Sequence, residues 1–89
     1  MARSILQDYH RECFICGGPG EELHHCIHGS NRSKADEDGL TVWLCRECHH
    51  VLHSMGDYDR DLKQYAQQVW ESVYGTREDF LCRYGRSYL

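Results

Sequence analysis

The sequence has little proline and no long hydrophobic run. One proline occurs in 89 residues, and no stretch approaches the about 18 consecutive apolar residues of a membrane-spanning helix. The N-terminus, MARSILQD, turns polar at once and does not resemble a secretory signal. Positive charge is also scarce, because ten Lys and Arg against fourteen Asp and Glu give a formal net charge of −4. These features argue against a membrane or secreted protein, and the acidic balance gives no support for tight nucleic-acid binding.

What the sequence does have is a concentration of cysteine and histidine. Cys13 pairs with Cys16 and Cys45 with Cys48 at C-x2-C spacing, and six of the seven histidines lie between residues 13 and 53. Four thiols at this spacing are typical of one tetrahedral zinc ion with no open position, which indicates a structural site. Three disulfides are the alternative, but the neighbouring histidines and the missing signal favour metal.

The chain length allows one small domain. We predict a single domain over residues 1–89, with a metal-binding core at 13–53 and a helical extension at 57–89. A domain of this size buries roughly 60–65% of its unfolded surface, so its core is thin. Bound zinc can add roughly 10 kcal/mol of apparent binding energy to folding. The unpaired thiols of Cys26 and Cys82 are predicted to be buried small side chains.

Residue patterns predict two strands and a short helix in the core. Residues 23–27 and 40–44 are expected to be strands, with a polar loop at 29–39 between them. A short helix is expected from Cys48 through His53, and residues 3–10 could form an edge strand.

Two helices are predicted in the extension. Apolar residues of 62–73 recur at helical spacing, with Asp57 or Asp59 as the cap and Gly75 in the left-handed position after the end. The aromatic residues of this segment are expected to be core or cover residues: Tyr65, Trp70 and Tyr74.

A capping box is predicted at Thr76 and Asp79, opening a final helix that Gly85 ends. This helix is expected to bury three side chains: Phe80, Leu81 and Tyr84.

The remaining histidines suggest a second metal site. His49 and His53 are four residues apart, so on a helix they share one face and can reach one ion. His24 could add a third ligand from the facing strand, and the neutral imidazole of His25 suits a general base. The alternative is that some of these residues complete the zinc shell or are ordinary surface histidines.

These motifs resemble the HNH endonuclease family. The resemblance rests on residues 22–25 (ELHH), residues 44–49 (LCRECH) and His53, and it covers 13–53. It implies an α+β fold, with a small zinc-stabilised ββα-metal core that is treble-clef-like and a C-terminal helical extension. The chain's two ends and Asn31-Arg32 are more weakly similar to small HNH-like proteins encoded by bacteriophages and prophages.

The resemblance implies a metal-dependent endonuclease that hydrolyses DNA phosphodiester bonds. His25 would be the general base that activates water, and Arg32 or Lys34 could hold a neighbouring phosphate. One catalytic divalent ion (magnesium, manganese, nickel or zinc) would be held by three ligands: His24, His49 and His53.

One position departs from the family pattern. The family has an asparagine about five residues before the third cysteine, where it helps to orient the base, and this chain has Leu40 there. A backbone carbonyl, Asn31 or Asp38 would orient His25 instead. The other histidines match no ligand position.

Two further hypotheses stay open. A zinc-stabilised HNH scaffold without activity could bind nucleic acid or a phage or host replication or recombination protein, and a small zinc-ribbon regulator would leave the histidines unused. His50 is expected to face solvent and His28 to border the site. Reduced thiols and the family resemblance imply the cytoplasm of a bacterial host.

Overall fold

The computed structural model describes residues 3–8 and 10–89 and has an α+β fold. Over these residues two antiparallel strands pair, and four α-helices and one short 3-10 helix surround or follow them. None of the helices in this part of the chain is both long and apolar enough to span a membrane. The elements are β1 (Glu22–His25), the 3-10 turn (Gly29–Asn31), α1 (Arg32–Asp38), β2 (Thr41–Leu44), α2 (Arg46–Met55), α3 (Asp59–Val73) and α4 (Arg77–Tyr84).

The two predicted strands are confirmed, although both are shorter than expected. They pair antiparallel, with His24 opposite Val42 and His25 opposite Thr41. The β2 side chains of Val42 and Leu44 are fully buried, since helices cover the sheet. The sheet therefore places the double histidine at the end of β1, next to the core.

The prediction of a loop at 29–39 is wrong. A 3-10 turn and then α1 occupy this stretch, and Gly39 ends α1 with a positive φ of 76°. Only Ala35 among the α1 residues is buried. A helix with a single buried residue shows no apolar periodicity, so the pattern could not indicate it.

The predicted edge strand at 3–10 is also wrong over the described residues 3–8 and 10, and Tyr9 lies outside them. Isolated hydrogen bonds hold the segment beside the sheet instead. The Ile5 amide donates to the Gly39 carbonyl at 2.9 Å, and the Gln7 side-chain oxygen accepts from the Trp43 amide at 2.8 Å. A side chain thus takes the place of a continuous backbone ladder.

The two ends of α3 differ from prediction. The helix begins at Asp59 after Tyr58, whose φ is 68°, and no side chain caps it, so neither Asp57 nor Asp59 is the cap. Gly75 is not left-handed. A Cβ added to it would lie 2.5 Å from Asp79 Oδ2, so glycine is needed there for close approach of the residue that caps α4.

The capping box of α4 is confirmed. Thr76 Oγ1 accepts from the Asp79 amide at 3.2 Å, and Asp79 Oδ2 accepts from the Thr76 amide at 2.9 Å. Gly85 ends the helix with a φ of 82°, also as predicted. Leu81 is 41% exposed, so its predicted burial is wrong, because it lies beside rather than on the buried face. That face consists of Phe80 and Tyr84.

A carboxylate binds α1 to the two C-terminal helices. Asp38 Oδ2 accepts hydrogen bonds from Trp70 Nε1 at 2.8 Å, Arg83 Nε at 2.6 Å and the Tyr84 hydroxyl at 2.7 Å. Burial alone would raise the pKa of Asp38, but the bonds from Arg83, Tyr84 and Trp70 lower it below its usual value. The extension is therefore part of the same folded unit as α1.

We expect Asp38→Asn to lower the free energy of unfolding by about 2 kcal/mol, because it removes a charged acceptor from three donors. Glu37→Gln is the matched control. Glu37 also bonds Arg83, at 3.1 Å, but its side chain is 69% exposed, so the expected loss is under about 0.5 kcal/mol. Urea unfolding of both variants at neutral pH measures the difference, and equal losses would contradict this role for Asp38.

Candidate metal centres

Four thiols converge at one end of the sheet. Cys13 and Cys16 come from the turn before β1, and Cys45 and Cys48 from the start of α2. Their sulfur atoms all lie within 4.8 Å of one another, with Cys16 and Cys45 3.7 Å apart. Zinc–sulfur bonds of about 2.3 Å in a tetrahedron separate the sulfur atoms by about 3.8 Å. The four thiols could therefore bind one zinc ion.

Local backbone structure holds these thiols in place. The Cys13 amide donates to the Gly18 carbonyl at 2.7 Å, and Gly17, with a φ of 78°, turns its amide back to the Cys13 carbonyl at 2.9 Å. Cys45 is the N-cap of α2, and its sulfur accepts from the Cys48 amide at 3.4 Å. Each C-x2-C pair thus forms part of a turn that aims backbone N–H groups at sulfur.

The pKa values of the clustered thiols indicate that a bound cation would stabilise their ionised forms. Burial would raise the pKa of Cys13, but backbone N–H groups of Cys16, Cys45 and Ile15 bring it down to about 6. Burial and the neighbouring thiols raise the pKa of Cys48 instead. The Cys13 thiolate thus forms readily, and negative charge in the cluster disfavours ionisation of the neighbouring thiols. A bound cation would offset this repulsion.

The other two cysteines lie outside this cluster, and all six are free thiols. Cys26 is fully buried, as predicted, and burial followed by the charge of Asp59 raises its pKa to about 12. Cys82 is exposed, so its predicted burial is wrong, because it lies on the outer side of α4.

Three histidines form a second convergent set. His24 comes from β1, and His49 and His53 lie one turn apart on α2. One ligand nitrogen from each lies within 4.8 Å of the others, and the Nε2 atoms of His49 and His53 are 3.0 Å apart. Imidazole nitrogens about 2.0–2.1 Å from one ion would be spaced similarly. The geometry thus fits a divalent cation.

His24 supplies the clearest sign of a missing partner. Its side chain is 2% exposed, and Nε2 is buried without a hydrogen-bond partner among the described residues. A buried polar atom left in this state costs about 1–3 kcal/mol. Burial, followed by His49 and His53, lowers the pKa of His24 to about 3, so the ring is neutral and its lone pair is free for a metal.

The outer nitrogen of His49 is fixed by a carboxylate. Its Nδ1 donates to Glu22 Oε1 at 2.7 Å. Since a carboxylate only accepts, Nδ1 carries the hydrogen and Nε2 keeps a lone pair facing His53. Such carboxylate–imidazole pairs orient metal ligands and raise their basicity.

His25 also lies beside the three converging histidines. It lines a cleft of about 260 Å³ together with the three converging histidines and Arg32. His25 Nε2 donates to Asp36 Oδ1 at 2.9 Å, and its Nδ1 lies 3.4 Å from Arg32 Nε. Asp36, the fifth residue of α1, is the functional candidate that the sequence analysis missed. Asp36 stands four residues after Arg32, and on a helix such residues share one face. The sequence indicates this proximity only where a helix is predicted at 32–38.

The side chains expected to orient His25 bond elsewhere. Asn31 Nδ2 donates to the Tyr84 carbonyl at 2.9 Å, and Asp38 belongs to the network described above. Lys34 also turns away, since its ammonium donates to the Arg83 carbonyl at 2.9 Å. Of the two basic candidates, the structure brings only Arg32 to the cleft.

His28 and His50, which match no family ligand position, lie as expected. His50 is exposed on α2. His28 borders the cleft and shares a hydrogen bond with Asp59 Oδ1 at 3.0 Å.

The low pKa of His24 predicts a loss of stability in acid. Its value of about 3 lies below the about 6.5 of an unfolded chain, so the unfolded state binds more protons between these values. We expect the free energy of unfolding to fall by about 1 kcal/mol between about pH 7 and 5.5 in protein carrying zinc only at the cysteines. Urea unfolding with His24→Gln as control measures this, and an equal slope in both proteins would contradict it.

Comparison with known proteins gives no match to any family model, curated sequence or solved structure. The functional argument therefore depends on the residues and their geometry.

Proposed function

We propose that this chain is an HNH-type endonuclease, a hydrolase that cleaves DNA phosphodiester bonds with one divalent ion. The observation that carries the proposal is the buried Nε2 of His24, which has no hydrogen-bond partner within the described part of the chain. It converges with two α2 histidines beside the carboxylate-oriented His25. A convergent set of imidazole ligands next to a positioned base is the arrangement that metal-assisted hydrolysis needs.

The proposal includes a structural zinc at the four thiols and a ββα-metal, treble-clef-like core. Cys45 caps the helix that carries His49 and His53, so a metal at the thiols would fix the start of that helix. Zinc in a closed shell stabilises the fold without chemistry, because it has no position for water. The two sites thus have separate roles.

In the proposed reaction His25 removes a proton from water. The bond to Asp36 keeps the hydrogen on Nε2, so Nδ1 is the basic nitrogen. The hydroxide oxygen attacks phosphorus as the bond to the 3′ oxygen breaks, and that oxygen takes up a proton from solvent water. His24, His49 and His53 would hold a divalent ion, which would supply Lewis-acid stabilisation of the charge that develops in the reaction.

Arg32 has a specific place in this scheme. Its contact with His25 Nδ1 is long, at 3.4 Å, and therefore weak. A substrate phosphate would attract the guanidinium more strongly, because charge-assisted bonds are about twice as strong as neutral ones. Moving Arg32 to the phosphate frees Nδ1 for the water proton.

A plasmid-nicking assay across magnesium, manganese, nickel and zinc tests the function. We expect nicking that depends on a divalent ion and falls at least about a hundredfold in His53→Ala, which removes an exposed ligand. His50→Ala, an exposed histidine on the same helix, should nick at the parent rate. Metal-independent nicking, or equal loss in both variants, would overturn the proposal.

The second candidate is an inactive HNH scaffold that binds nucleic acid or a phage or host replication or recombination protein. The observations favouring it are the net charge of −4 and Leu40, which is fully buried and offers His25 no polar group. It predicts a folded protein with one zinc, no nicking with any ion, and measurable binding to single- or double-stranded DNA or to such a partner. Nicking that His25→Ala abolishes would exclude it.

A further inference from the structure

A fourth histidine stands beside the three that converge. The ring centroid of His28 lies 6.2 Å from that of His24 and 6.3 Å from that of His53. Within the converging set the same distances run from 4.6 to 5.5 Å. His28 lies between β1 and the 3-10 turn and lines the same cleft. It therefore approaches the ligand nitrogens from a segment that supplies no other ligand.

The hydrogen bond of His28 engages one ring nitrogen and leaves the other available to a metal. Nε2 lies 3.0 Å from Asp59 Oδ1 and carries the hydrogen, since the carboxylate only accepts, so Nδ1 keeps its lone pair. His49 is also held by a carboxylate, but through the other ring nitrogen: its Nδ1 donates to Glu22, and Nε2 keeps the lone pair. Histidines that bind metals almost always donate their second N–H to such a partner.

Asp59, the hydrogen-bond partner of His28, is itself fixed by an ion pair. Asp59 Oδ2 accepts from the Lys63 ammonium at 2.8 Å, one turn further along α3. The imidazole, in contrast, is 40% exposed and lies on a loop, before Gly29 with its φ of 72°. A fixed carboxylate and an exposed ring allow His28 to approach or leave an ion without disturbing the core. The otherwise similar His25 differs, because its Nδ1 already faces Arg32.

We propose that His28 is a fourth, displaceable ligand of the ion held by His24, His49 and His53. It completes a four-coordinate shell at rest and yields its position to a phosphate oxygen of the substrate. The carboxylates of Glu22 and Asp59 each accept the N–H of one of these imidazoles and so orient two of the four proposed ligands. This inference rests on the metal site proposed above.

Cobalt binding tests the inference without using activity. Protein first given one equivalent of zinc, to fill the thiols, is titrated with Co²⁺, and the absence of thiolate–cobalt absorption shows that the thiols keep their zinc. We expect His28→Ala and His28→Gln to weaken cobalt affinity at least about tenfold and to change the visible cobalt spectrum. His50→Ala should match the parent in both.

Inorganic phosphate then probes the open position. The cobalt-loaded His28 variants should bind phosphate more tightly than the parent, because no side chain competes for the ion. If the parent binds cobalt and the His28 variants match it in affinity, spectrum and phosphate binding, the inference is overturned while the metal site stands. If the parent itself binds no cobalt at the histidines, both proposals fail.

Discussion

Cys13→Ser should abolish cooperative folding of this domain. Cys13 is 3% exposed and lies in the core cluster, and backbone N–H groups lower the pKa of its thiol and so favour the thiolate. Serine at this position removes one of the four thiols that could bind zinc and leaves a buried hydroxyl beside the other three. Structural zinc contributes about 10–16 kcal/mol of apparent binding energy in small domains, which equals or exceeds the about 5–15 kcal/mol stability of a whole domain.

Circular dichroism and urea unfolding of zinc-loaded protein measure this effect. Cys82→Ser is the matched control, because it removes an exposed thiol outside the cluster and should leave both signals unchanged. Chelation of the parent should reproduce the Cys13→Ser result. A Cys13→Ser protein that unfolds cooperatively at the parent's urea midpoint would show that the thiols do not support the fold.

The part of the fold that could be predicted from sequence is the part with strong local signals. The paired cysteine spacing, the β-branched and aromatic residues of β2 and the helical spacing in α3 each indicate their structure within a few residues. The four thiols do converge, and the strand and the helix are present. The capping box of α4 is also indicated locally, because Thr76 and Asp79 act on each other's backbone. Such features depend little on the rest of the chain.

What could not be predicted depends on contacts distant in sequence. The polar helix α1 buries a single alanine, and its position is set by bonds from its side chains to α3 and α4, such as that of Asp38 to Trp70. The periodicity of apolar residues along the sequence gives no sign of such polar contacts. Without α1, the sequence points to Asn31 or Asp38 as the partner of His25, whereas helical geometry places Asp36 there.

His25→Ala should lower the nicking rate by about a hundredfold to ten-thousandfold, the range for loss of a positioned general base. The fold and metal binding should persist, because the His25 side chain lies at the end of β1 and is not among the converging ligands. Asp36→Asn should have a smaller effect of about tenfold to a hundredfold, since it disturbs the orientation of the base without removing it. Glu37→Gln changes the next carboxylate on α1, serves as the control and should leave the nicking rate unchanged.

Added imidazole separates the loss of a base from a general disturbance of the site. A small external base can enter the space left by His25→Ala and should restore part of the rate, whereas it should not restore a variant that has lost a metal ligand, such as His53→Ala. The cleft beside Arg32 is open enough to admit it. Nicking by His25→Ala at the parent rate would remove His25 from the mechanism. Loss without rescue, accompanied by weaker cobalt binding, would assign His25 to holding the ion, because a base acts on water and leaves the metal affinity unchanged.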